Sequence, residues 1–244
     1  MRQLFIDITD PAASVPLGAE VHHRLQRVLR LPIGAPLCVG NGRGQRWQVR
    51  FAGHHLTDWV ALPVQLPPAT ELTLACAVLK GERFEWLIEK AAELGAFAIQ
   101  PLQTEHCVAK VLGPAAAGKQ ARWQAVATEA FEQCGRPWLT RVLPPLALTQ
   151  WLAQRHTQPA LLVADERLPP VFLADAVVAH PPCQGRRQLD VVIGPEGGLG
   201  DGERLALKTA GGIDVWLSRA VLRAETAALA AAVIVQGRAE AENG

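Results

Sequence analysis

Gly194, Pro195, Glu196, Gly197 and Gly198 follow the apolar run LDVVI and precede an acidic segment suited to open a helix. In an open parallel sheet, ligands sit beyond the carboxyl ends of the strands, so a glycine-rich loop at that point stands where a ligand would. The spacing G-P-E-G-G is neither the G-x-G-x-x-G of dinucleotide folds nor the lysine-bearing phosphate loop. Glu196 would repel a pyrophosphate. Two readings stay open on composition. In one, a neutral or cationic ligand approaches bare backbone groups with a carboxylate as counter-charge. In the other, the glycines only allow a tight turn with positive φ.

A second stretch, WLSRAVLRAETAALAAA from Trp216 to Ala232, places Arg219 and Arg223 in a short loop, then Glu225 and Thr226 in the first turn of a helix. The helix dipole alone accounts for Glu225, and an ordinary surface charge accounts for Arg223. Taken jointly, two buried strands each end in an irregular polar loop, and such loops tend to converge on one pocket.

Other chemistries are disfavoured. The five cysteines, Cys38, Cys76, Cys107, Cys134 and Cys183, are scattered without a C-x-x-C pair, which fits reduced thiols better than bridges or zinc. His22-His23 and His54-His55 are adjacent in sequence and point apart, so no metal is expected. The apolar run Ala227 to Val235 is about half of the ~18 residues a membrane span requires. Asp7 and Asp10 interrupt any export signal, and a cytoplasmic protein is expected.

The elements that must position these loops follow from periodicity. Short β-like runs (LFIDI, PLCVG, WQVRFAG, DWVALPVQ) with turn chemistry at NGRG predict a small β-barrel before the prolines of LPVQLPPATE. Beyond them LTLACAVL, ERFEWLIEKAAELG and AFAIQPL read as a βαβ unit. A long helix from about 116 to 134 follows, then ALLVADE, LDVVIGPE and IDVWLS as buried parallel strands, and a closing helix. The fold class is therefore α/β, with a β-rich domain over residues 1–69 and an α/β domain over 70–244. The net charge is only +1, but residues 1 to 70 hold seven arginines and no lysine against four acidic residues. An arginine-rich small domain suits a nucleic-acid face, and a mildly charged surface is the plainer alternative.

LKGERFEWLIEKAAELG, PLQTEHCVAK, EAFEQCGR, IGPEGGLGDGE and VLRAETAAL, with HHRLQRVLRL near the start, resemble the bacterial 16S rRNA uracil-N3 methyltransferases of the SPOUT superfamily, in order from about residue 20 to 236. The resemblance implies an N-terminal PUA-like barrel, a C-terminal α/β domain tied in a trefoil knot, a homodimer, and S-adenosylmethionine as cofactor. The substrate would be 16S ribosomal RNA or the small ribosomal subunit. The cofactor pocket it implies comprises Ala164 and Glu166, then Gly194, Pro195, Glu196, Gly197 and Gly198, then Leu217, Ser218, Val221 and Leu222. It places Arg223, Glu225 and Glu105 at the methyl-transfer centre, and Arg27, Arg30 and Arg136 toward RNA. The chain departs from the pattern at Ser218, where glycine is usual, at Ala220, where arginine is common, and at His106, where arginine is expected.

Uracil N3 carries a proton at neutral pH, so the site must stabilise the anion or remove the proton as the methyl transfers. Arg223 is assigned to the anion, and Glu225 or Glu105 to the proton. Because N3 lies on the pairing edge, the target base must be unpaired or splayed out. A SPOUT enzyme for transfer RNA or a ribose 2′-hydroxyl, or a non-enzymatic RNA-binding factor, is the alternative. A nicotinamide-dependent dehydrogenase lacks its glycine fingerprint here.

Overall fold

Strict alternation builds the first sheet: Trp47, Val49 and Phe51 are buried while Gln48 and Arg50 face out, the period-two pattern of a half-buried strand. The computed structural model describes residues 3–11, 14–156, 159–165, 171–183 and 185–243. They fall into two units, Met1–Pro67 with Phe131–Leu139, and Pro68–Ala130 with Thr140–Gly244.

The first unit carries β1 (Gln3–Phe5), β2 (Val15–Pro16), α1 (Ala19–His23) running into a π-helical turn (Arg24–Val28), β3 (Pro36–Gly40), β4 (Arg46–Phe51) and β5 (His55–Ala61). The sheet order is β1-β3-β4-β5-β2. The β3–β4 connection is set by Asn41, whose Oδ1 accepts the N–H groups of Arg43 (2.9 Å) and Gln45 (3.2 Å), an Asx turn. Gly42 and Gly44 supply the positive φ on either side. The helix expected over HHRLQRVLR forms, but its second half widens to π geometry, Leu29 N–H reaching Arg24 O at 2.9 Å. It stops at Arg30, which takes φ +49 while Leu31 N–H returns to Leu25 O at 3.0 Å. That closure is one residue wider than the six-to-one bond of a Schellman stop, in keeping with the π turn before it, and Pro32 prevents continuation. Arg24 pairs with Glu132 at 2.8 Å, and Phe131 meets Phe5 edge-on at 5.9 Å. The rings of His22 and His54 stack at 4.1 Å.

In the second unit the elements are β6 (Thr70–Ala77), α2 (Arg83–Glu93), β7 (Ala98–Gln103), α3 (Ala116–Cys134), β8 (Arg141–Val142), β9 (Leu146–Ala147), α4 (Leu148–Gln154), β10 (Ala160–Ala164), β11 (Val171–Phe172), α5 (Leu173–Ala179), β12 (Arg187–Ile193), α6 (Asp201–Thr209), β13 (Ile213–Trp216) and α7 (Ala224–Asn243). The last residues of α3 count with the first unit. The sheet is parallel, in the order β11-β13-β10-β12-β6-β7-β8, with β9 also on β7. Its middle strands read as apolar runs because both faces are covered: β12 is buried at six of seven positions, as parallel sheets require. Burial pushes the Cys76 thiol on β6 up to about 12, which leaves it inert at neutral pH.

The helices that cover the sheet follow their spacing. On α2, Phe84, Leu87, Ile88 and Ala91 face the core, and Gly95 beyond its end takes φ +85. On α7, Ala228, Ala231, Ala232 and Val235 are fully buried against the same core, and small side chains there let the helix backbone lie close to its neighbours. No helix among the described residues is long and apolar enough to cross a membrane.

Enlarging a fully packed alanine forces side chains off their rotamers. Ala231→Leu is expected to cost about 1–3 kcal/mol of stability, read as a lower urea midpoint at unchanged slope.

Candidate active site

Three neighbouring strands end level with one another. Ala164 at the end of β10 is in register with Ile193 on β12 and with Val215 on β13. The loops that follow these strands therefore start from one edge. Between them lies a cavity of about 260 Å3, lined by Ala164, Gly194, Pro195, Glu196, Gly198, Val221, Leu222 and Arg223, with Ile193, Leu199, Arg204, Ala224 and Ala227. A smaller space of about 60 Å3 shares Ala164, Val221, Leu222 and Ala227 and adds Leu217 and Ser218.

Glycine is favoured in the first loop by close approach. A Cβ on Gly194 would stand 3.2 Å from Leu199 Cγ, and one on Gly197 would stand 3.1 Å from His106 Cβ. Gly198 takes φ +72 and closes a turn, its N–H on Pro195 O at 2.8 Å. His106 holds the same turn from outside, with Nδ1 at 3.1 Å from Gly197 O and 3.0 Å from Gly198 O. Carbonyl oxygens only accept, so Nδ1 carries the hydrogen. The imidazole at this position is thus a strut for the loop. Ser218 has a comparable part in the third loop, where its Oγ accepts the Ala220 N–H at 3.1 Å.

The charges come from elements distant in sequence. Glu196 contacts Arg83 at the start of α2, and Arg83 Nη1 lies 3.8 Å from Glu225 Oε1 on α7. Glu225 is 9% exposed, and its Oε2 is buried without a hydrogen-bond partner. Arg204 pairs with the buried Asp165 just after β10, and its Nε donates to Leu199 O at 3.1 Å. Burial pulls the Arg204 pKa down, with the Asp214 carboxylate opposing, and the guanidinium stays cationic. Arg223 is exposed, its carbonyl accepts the Ala227 N–H at 2.8 Å, and its side chain makes no hydrogen bond or ion pair among the described residues. Beneath the site, Arg155 holds Asp190 on β12 at 2.6 Å. Burial raises the Asp190 pKa and Arg155 works against it.

Of the residues singled out in the sequence, those in the third loop except Arg219, and those in the glycine loop except Gly197, line one or other space together with Ala164, whereas Glu225 lines neither and follows the lining residue Ala224. Gly197 faces His106 instead. Glu166 lies outside the described residues. Glu105 is exposed and stands beside Gly200 rather than on the cavity wall: its N–H donates to Glu203 Oε1 at 2.9 Å. Arg27, Arg30 and Arg136 belong to the first unit. Arg27 and Arg30 are exposed, while Arg136 is half-buried and its carbonyl accepts from Gln3 at 2.9 Å. Arg83, Asp165 and Arg204 escaped the sequence reading. Asp165 directly follows Ala164 and Arg83 sits within LKGERFEW, but only their partners mark them.

Glu203 secures two backbone N–H groups at once, Gly200 (3.0 Å) and Glu105 (2.9 Å), the reaching half of a capping box at the start of α6. Glu203→Ala is expected to cost about 1 kcal/mol and to speed hydrogen exchange at both amides, measurable by NMR.

Residues 66–236 match the family model of the RNA methyltransferase domain. The chain is 37% identical to the ribosomal RNA small subunit methyltransferase E of Synechocystis, over 88% of this chain and 70% of that protein. With the Bacillus subtilis protein of the same name it shares 30% identity over 94% of this chain and 93% of that one. Among solved structures, a ribosomal RNA small subunit methyltransferase E from Neisseria gonorrhoeae bound to S-adenosyl methionine superimposes with a TM-score of 0.85 at 26% identity, covering 97% of both chains. A methyltransferase from Legionella pneumophila in complex with the cofactor SAM does so with a TM-score of 0.85 at 28% identity, covering 96% of both. The chain therefore belongs to the RNA methyltransferase domain family, alongside the ribosomal RNA small subunit methyltransferases E.

Proposed function

We propose that this protein methylates N3 of a uridine in 16S ribosomal RNA of the small subunit, with S-adenosylmethionine as methyl donor. The observation that carries the reading is the cavity at the level ends of β10, β12 and β13. Its walls combine apolar side chains (Ile193, Leu199, Val221, Leu222, Ala227) with a glycine loop, the Glu196 carboxylate and the side chains of Arg204 and Arg223. That composition fits an uncharged nucleoside bearing a cation, and its volume of about 260 Å3 is near the lower end of ligand pockets, about 300–1,000 Å3. Family membership and the two cofactor-bound relatives support the same ligand.

The bound cofactor supplies an electrophilic methyl group on sulfur. Everything else falls to the chain. Gly194 to Gly198 offer backbone amides and carbonyls, and Leu217 to Leu222 close the opposite side. Arg223, on the cavity wall and free of ion pairs among the described residues, stabilises the negative charge that develops on the uracil as its N3 proton leaves. For the acceptor of that proton, Glu225, which follows the lining residues Arg223 and Ala224 and whose buried Oε2 has no hydrogen-bond partner, is preferred to the exposed Glu105. Removing the proton turns a poor nucleophile into a competent one.

The same reading assigns residues 1–69 as a PUA-like RNA-binding domain and 70–244 as the SPOUT methyl-transfer domain. Exposed Arg27 and Arg30 suit phosphate contacts, Arg30 from a left-handed backbone conformation that bulky residues seldom adopt. Arg136 is the third RNA contact. The strand order, with β12 between β10 and β6 and β13 beyond β10, supports a trefoil-knotted crossover. A homodimer acting in the cytoplasm completes the proposal, and exposed Val178 and Val233 on the contacting helices α5 and α7 offer it an apolar surface. Among the described residues no cluster of His, Cys, Asp and Glu is built to hold a metal.

The test is methyl transfer from labelled S-adenosylmethionine to small subunits lacking their modifications, with nucleoside analysis. The product expected is 3-methyluridine, and any other methylated nucleoside would contradict the reading. Arg223→Ala is expected to keep cofactor affinity in calorimetry while lowering the transfer rate about 10²-fold. Arg27→Ala and Arg30→Ala are each expected to weaken RNA binding and to reduce the salt slope by about 1, measured by titration across salt concentrations.

A further inference from the structure

Arg83 occupies a position that helix physics does not favour. It is the first residue of α2, where the positive end of the helix dipole opposes a cation. Its side chain is 42% exposed and makes no contribution to the apolar face formed by Phe84, Leu87 and Ile88. What it meets instead are two carboxylates distant in sequence and from different elements. Glu196 belongs to the loop after β12 and lines the cavity; Glu225 lies in the first turn of α7, two residues past Arg223. Glu225 is the unusual partner. It is nine-tenths buried, its Oε1 is 3.8 Å from Arg83 Nη1, and its Oε2 has no hydrogen-bond partner. A buried acceptor with no partner in the chain costs stability, and a catalytic role is one explanation for such a group.

We infer that Arg83 is a positioning residue for methyl transfer, an inference that rests on the reaction proposed above. Its guanidinium pairs with Glu225 through Oε1, and the buried Oε2, which has no hydrogen-bond partner in the chain, is the atom that takes the proton of uracil N3. Through Glu196 the same group ties the glycine loop to that carboxylate, so the wall of the cofactor cavity and the proton acceptor are held in one arrangement. The balance is simple. The proton on N3 passes to Oε2, and the electron pair of the N–H bond stays on N3. That pair forms the new bond to the methyl carbon as the carbon–sulfur bond breaks and its electrons remain on sulfur, giving a neutral thioether. Afterwards Glu225 is neutral and returns its proton to water.

The experiment uses the full-length protein, unmodified small subunits and labelled S-adenosylmethionine, with 3-methyluridine as product. Arg83→Gln is expected to lower kcat about tenfold or more, with KM for the subunit and Kd for the cofactor changed less than about twofold. Arg83→Lys, which keeps the charge, is expected to recover most of the rate. The double variant Arg83→Gln with Glu225→Gln is expected to be no slower than Glu225→Gln alone, as for two residues acting through one step. A normal rate in Arg83→Gln, a defect confined to cofactor Kd, or multiplying defects in the double variant would overturn the inference while the wild-type product upholds the reaction. If the wild-type protein makes no 3-methyluridine, the proposed reaction fails and the role of Arg83 fails with it.

Discussion

The site depends on the register of β10 between its two neighbours. Ala164 faces Ile193 on one side and Val215 on the other, so three loops remote in sequence begin at one level. Hydrogen bonding alone would allow other alignments. Burial removes them, because these strands are apolar on both faces, and a shift would draw polar residues from the strand ends into the core. Leu162, Val191, Val192 and Val215 are all fully buried. The cavity is thus a consequence of core packing one layer beneath it.

Charge at the cavity is arranged in pairs. Asp165 and Arg204 neutralise each other at the end of β10, while two carboxylates, Glu196 and Glu225, share the single guanidinium of Arg83. Glu196 puts a carboxylate on the cavity wall itself, which suits a sulfonium cation. Arg223 stands apart without a partner among the described residues. An unpaired guanidinium on a cavity wall retains its donors for an incoming group, whereas Arg83 and Arg204 have spent theirs within the protein.

Local pattern made much of the fold legible. The apolar runs LDVVI and ALLVA, the spacing of Phe84, Leu87, Ile88 and Ala91, and the turn signal at Asn41 each dictate an element within a few residues of chain. The α/β class with parallel strands follows from their alternation. The π-helical turn at Arg24–Val28 was not legible, since helical spacing does not distinguish hydrogen bonds four and five residues apart. Nor was the pairing of charges. Arg83 and Glu196 are 113 residues apart, and each alone reads as an ordinary surface charge. His106 illustrates the same limit: in sequence it marks a departure from the family, and only its two carbonyl partners reveal a strut under Gly197 and Gly198.

Hydrogen exchange with and without S-adenosylmethionine tests the central claim, that the level ends of β10, β12 and β13 form the cofactor site. Saturating cofactor is expected to slow amide exchange at Gly194 and Glu196 to Gly198 and at Leu217 to Leu222 together, with little change in the sheet of the first unit. Binding that protects neither loop, or that protects a different surface, would contradict the account.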